Sequence, residues 1–174
     1  MTPKISSYFM LIGIFCLLIV AGVEAGIKNI RPPEACNMLN SIGLPTLGWK
    51  IYGDNECGCS SRQMPLGSEN PFKNVISYYV EGSGQTVNQI RLIVSVLNSD
   101  ESKIAHAEFQ KAAQFLIRKL TPKPLPENFS QAIANGGNQI FLADGFLFEV
   151  VRKEWTMNTD WETRQCYEIK LVIR

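Results

Sequence analysis

Residues 72–120 read FKNVISYYVEGSGQTVNQIRLIVSVLNSDESKIAHAEFQKAAQFLIRKL, and a change of period inside them decides the fold class. Over 87–97, Ile90, Leu92, Val94 and Val96 alternate with Gln89, Arg91, Ile93 and Ser95. A two-residue period sends alternate side chains to opposite faces of a strand, so this strand buries one face and leaves the other half wet. Residues 72–80 form the second clear β signal. Glu81-Gly82-Ser83-Gly84-Gln85 between the two predicts a hairpin with a glycine-bearing turn.

From Asn98 onward the apolar residues recur at steps of three and four. Ala105, Phe109, Ala112, Ala113, Leu116 and Leu120 make one stripe of a long helix. Asn98-Ser99-Asp100-Glu101 gives that helix a capping side chain and acids at its positive end. Arg118 and Lys119 fall in the last turn, where the dipole favours cations, and Pro122, Pro124 and Pro126 stop it.

Towards the C-terminus, Pro126 or Glu127 opens a shorter helix through Phe129, Ala132 and Ile133, which Asn135-Gly136-Gly137 closes. A short strand at 139–143 turns at Asp144-Gly145, and 146–155 pairs with 162–173 across residues 156–161. In the last strand Tyr167, Ile169, Leu171 and Ile173 face one way, with Cys166, Glu168 and Lys170 the other. Towards the N-terminus, 33–42 reads as a short helix carrying Cys36, Leu39 and Ile42, with Gly43 as its stop. Residues 48–52 read as a short strand and 53–71 as a loop rich in turn residues.

The whole predicts an α+β fold: an antiparallel sheet of about five strands, with one long and two short helices packed mainly on one face and disulfides as staples. In outline the element order resembles the topology of type III secretion chaperones. That likeness carries no shared motif and lacks the family's last helix, so it implies a layout and no site.

Lys4, the apolar run 5–20 and Val23-Glu24-Ala25 follow the order of a cleavable export signal, with the cut expected after Ala25. The expected organisation is a signal peptide at 1–25 and a single domain at 26–174, periplasmic or secreted, with no stable membrane insertion after cleavage. The signal takes away one charge of each sign, so a net charge of +1 remains. Such a balance excludes a polybasic nucleic-acid or membrane-surface role.

Cys36, Cys57, Cys59 and Cys166 follow the expected cut, and an even count in an exported chain reads as two disulfides. Cys57 and Cys59 are too close in sequence to bridge each other comfortably. Each then pairs with Cys36 or Cys166, in either of two connectivities.

Little else in the chain carries a recognisable chemistry. His106, the only histidine, shares a helix face with Lys103, Gln110 and Gln114, and is expected to be solvated. With no second histidine and the cysteines oxidised, no metal is expected, and no motif calls for a cofactor. Cys57-Gly58-Cys59 is a shortened form of a redox pair. Asp144 and Glu149, and Asp160 and Glu162, are carboxylates that could do acid and base work only within one cleft. Asn128-Phe129-Ser130 fits a glycosylation sequon. Trp155 and Trp161 bracket the last hairpin turn with Met157 between them. They read either as a cross-strand pair that pins register or as an aromatic tip for a partner.

The function expected is therefore a non-enzymatic binding module, an inhibitor, immunity-type or accessory protein, that contacts another protein through Trp155, Met157 and Trp161. The alternative is a small extracytoplasmic enzyme, either a hydrolase using loop carboxylates or a thiol oxidoreductase using Cys57 and Cys59. A carrier of a small ligand is the third.

Overall fold

A computed structural model describes residues 26–68 and 72–174, so the expected export signal at 1–25 lies outside the described residues. The described residues form eight strands: β1 Lys50–Gly53, β2 Glu56–Ser60, β3 Met64–Leu66, β4 Asn74–Ser83, β5 Thr86–Val96, β6 Gln139–Ala143, β7 Phe146–Asn158 and β8 Thr163–Ile173. Three α-helices accompany them: α1 Pro32–Asn37, α2 Ser102–Leu120 and α3 Glu127–Asn135. The strands join one antiparallel sheet in the order β1-β2-β4-β5-β8-β7-β6, while β3 lies beside β2 on the same edge of β4.

The α+β class and the disulfide-stapled sheet are as expected, but the sheet has eight strands where about five were foreseen. The difference lies in residues 53–71, read as loop, which contain β2 and β3. Cys57 and Cys59 give β2 its alternation, yet its glycine, serine and acid carry no β propensity. Pairing with β4 at five successive residues, from Glu56↔Ser83 to Ser60↔Tyr79, makes the strand instead. Asp54 and Asn55, both at positive φ, turn β1 into β2. The helix expected at 33–42 is also broken, into α1 and a 3-10 turn at Asn40–Ile42 that ends on left-handed Gly43.

The long helix is α2, preceded by a 3-10 turn Ser99–Glu101 in which the Asp100 amide donates to Asn98 Oδ1 at 3.2 Å. Its stripe of Ala105, Phe109, Ala112, Ala113, Leu116 and Ile117 is buried. Beneath it the register aligns Ile90 with Ile173, Leu92 with Leu171 and Val94 with Ile169, all fully buried, so the face predicted for β5 and β8 is the core face. β4 adds Ile76, Tyr78 and Val80 to that face, and β7 adds Phe148 and Val150. The helices cover this side, α1 and α2 over β4 and β5 and α3 over β6 and β7. At about 25 cal/mol per Å² of apolar surface, this cluster is the main source of stability.

A second tie holds α1 to the sheet. The Tyr78 hydroxyl donates to Ala35 O at 2.8 Å, and the next residue, Cys36, is bridged to Cys59 on β2. One disulfide is present where two were expected; Cys57 and Cys166 are free and buried. The register explains why. Cys57 lies level with Gly82 and thus Val87, while Cys166 is beside Tyr167, which pairs with Val96 at the far end of β5. The run from Val87 to Val96 is roughly 30 Å long at about 3.3 Å per residue, against a reach of about 7 Å between bridged Cα atoms. Neither expected connectivity could place Cys166 in a bridge.

Candidate functional site

β7 and β8 are longer than the helical layer that covers them. Their outer half runs from Lys153 to Gln165 and closes in a four-residue loop, where Thr159 N donates to Glu162 O at 2.8 Å and Glu162 N to Thr159 Oγ1 at 3.1 Å. On the side continuous with the core face this half is polar, because Glu154, Thr156 and Asn158 are all exposed. Gln165 Nε2 donates to Thr156 Oγ1 at 3.1 Å, and Thr163 Oγ1 to Asn158 Oδ1 at 3.1 Å.

The opposite side carries Trp155 and Met157, both half-buried, so the hairpin reverses the polarity of the sheet as it leaves the core. Trp161 stands in the closing loop at 75% exposure. Trp155 pairs across the strands with Cys166, so the cross-strand tryptophan pair weighed in the sequence does not form. Two of the three expected contact residues thus share a face, and the third extends from the tip.

Next to the hairpin, β6 forms one edge of the sheet. It presents Ile140 and Leu142 at 61% and 71% exposure, on the same open face as Trp155. Sequence reasoning missed this pair because the strand reads QIFLA, apolar from Ile140 to Ala143, and only the register tells Phe141, packed against Phe129 and Phe148, from its outward neighbours.

His106 is not solvated as the helix periodicity implied. Its Nδ1 lies 3.0 Å from Ala134 O and its Nε2 2.8 Å from Tyr167 Oη, with the two rings edge to face. A carbonyl only accepts, so Nδ1 carries the proton and Nε2 accepts from the tyrosine hydroxyl. Arg152 stacks 3.8 Å above the Tyr167 ring and pairs with Glu154 at 2.8 Å. Burial, helped by Arg152, lowers the imidazole pKa, and burial raises that of Tyr167. The fold brings α3 and β8 against the helix face that sequence alone leaves to water, and the cluster ties α2, α3 and β8 together.

The carboxylate pairs do not converge. Asp144 accepts from Thr121 and pairs with Lys123 at 2.8 Å; these two partners hold its carboxyl below the usual range, so it stays an ionised acceptor. Glu149 is bound to Arg174 at 2.8 Å, and Glu162 to Arg164. Asp144 and Asp160 flank opposite ends of β7, whose 13 residues span roughly 40 Å. Cys57 and Cys59 are not bonded to each other. Among the described residues no three His, Cys, Asp or Glu side chains gather as a metal-ligand set, and no helix is long and apolar enough to cross a membrane. Asn128 is exposed at the start of α3 beside buried Phe129, its Nδ2 3.4 Å from Gln139 Oε1.

No family model, no curated protein and no solved structure matches the chain.

Proposed function

We propose that the protein is a binding module of the periplasm or secreted space that docks on another protein through the outer half of the β7–β8 hairpin. The observation that carries this reading is the reversal of polarity at that hairpin. Trp155 and Met157 lie on the face away from the core, and Trp161 projects from the tip at 75% exposure. Trp161 at that exposure gains nothing from the protein's own core, and tryptophan is among the residues enriched at the energetic centre of interfaces. The disulfide between Cys36 and Cys59 and the expected export signal support the compartment.

The test is affinity isolation from the native source with wild type, Trp155→Ala and Trp161→Ala, followed by affinity measurement on the isolated pair. Truncating a tryptophan at the centre of an interface costs at least about 2 kcal/mol, or roughly 30-fold in Kd. Each variant should lose the partner to that extent while keeping the wild-type melting temperature. A partner held equally well by both variants overturns the reading.

A further inference from the structure

On the uncovered face of the sheet, at the end away from the hairpin tip, β1, β2, β4 and the start of β5 enclose an open groove of about 860 Å³. Its floor is Gly58. This residue lies between Lys50 of β1 and Glu81 of β4 in the register, and with no side chain it leaves a notch in an otherwise filled row. A Cβ there would come within 2.5 Å of Val80 O and 3.6 Å of Tyr52 Cε2, so the notch depends on glycine. Tyr52, 65% exposed, borders it on one side and Tyr79 on the other, the latter beneath the Arg91 guanidinium at 5.4 Å.

Planar polar groups complete the wall. Arg174 Nε donates to Gln89 Oε1 at 3.1 Å, Gln89 Nε2 to Glu81 Oε2 at 3.4 Å, and Asn88 is exposed beside them. Two of the charges are already neutralised within the protein, Glu81 by Arg91 and Arg174 by Glu149. The groove therefore offers the open face of Tyr52 and an edge of donors and acceptors, and its remaining charge, the exposed Glu56, disfavours an anionic ligand.

From this geometry we infer that the groove is a binding site for a neutral oligosaccharide. A sugar ring presents weakly positive C–H groups on its faces, which suit the negative face of a tyrosine ring, and hydroxyls around its rim, which suit amide, carboxylate and guanidinium edges. The volume falls within the roughly 300–1,000 Å³ of small-ligand sites, and the open shape admits a chain of rings.

The test is a titration of the isotope-labelled protein with cellotetraose, maltotetraose and the N-acetylglucosamine tetramer, followed by NMR. At least one should give saturable shifts at the amides of Gly58, Glu81, Gln89 and Arg174. Binding should weaken about tenfold in Tyr52→Ala and in Gln89→Ala, and stay unchanged in Trp161→Ala. Tyr52 is exposed on an edge strand, so its loss spares the fold. The inference fails if none of the three sugars gives saturable shifts up to millimolar concentration. It fails equally if the shifts map elsewhere or persist in both groove variants. Because Trp161→Ala removes hairpin docking and spares the groove, the two sites stand or fall separately.

Discussion

His106 of α2 accepts a hydrogen bond from the Tyr167 hydroxyl of β8 at 2.8 Å while its other ring nitrogen serves Ala134 O at 3.0 Å, so the folded state holds a neutral imidazole. Burial and the nearby Arg152 keep its pKa below the ordinary value of about 6.5. The unfolded chain therefore takes up the proton first. Stability is complete above about pH 6.5 and declines as the pH falls towards the folded-state pKa. Urea midpoints measured between about pH 8 and about pH 5 should fall in the wild type and stay nearly flat in His106→Gln. Equal slopes for the two proteins would contradict a neutral, buried imidazole in the folded state.

Tyr78→Phe removes one donor from Ala35 O in a fully buried setting. The carbonyl keeps the Met38 amide at 3.2 Å, so the variant loses one hydrogen bond, worth about 0.5–1.5 kcal/mol. Loss of the neighbouring Cys36–Cys59 bridge, which closes a separation of 23 residues, costs about 2–4 kcal/mol. Both ties anchor α1, so the combined variant should lose less than the sum of the two. Full additivity in thermal or urea denaturation would mean that the ties act independently.

The thiol account separates four cysteines by chemistry. Cys57 and Cys166, at 4% and 1% exposure, should resist alkylation in the folded protein and react once it is denatured without reductant. Cys36 and Cys59 should react only after reduction. Peptide mass mapping reads all four positions at once. A peptide linking Cys57 to Cys166 would refute the strand register on which this account rests.

Where periodicity was strong, the sequence was enough to place the core. Ile90, Leu92, Val94, Ile169, Leu171 and Ile173 alternate cleanly and are all buried, and the α2 stripe is legible because its apolar residues recur at helical steps. β2 was illegible because ECGCS owes its strand to the hydrogen bonds of β4, a partner that local propensity cannot see. His106 lies among polar helix neighbours, and only tertiary packing brings Ala134 and Tyr167 to it. Trp155, Met157 and Trp161 were visible as residues. That they lie away from the core needs the register with β8, and so does the notch over Gly58.

The hairpin reading is tested most directly by a photo-reactive phenylalanine analogue at position 161, compared with one at exposed Asn138 in the same cells. The account predicts one discrete crosslinked protein species from position 161, none from 138, and loss of that species when Trp155→Ala is added. A crosslink of equal yield from both positions, or one that survives Trp155→Ala undiminished, would contradict it.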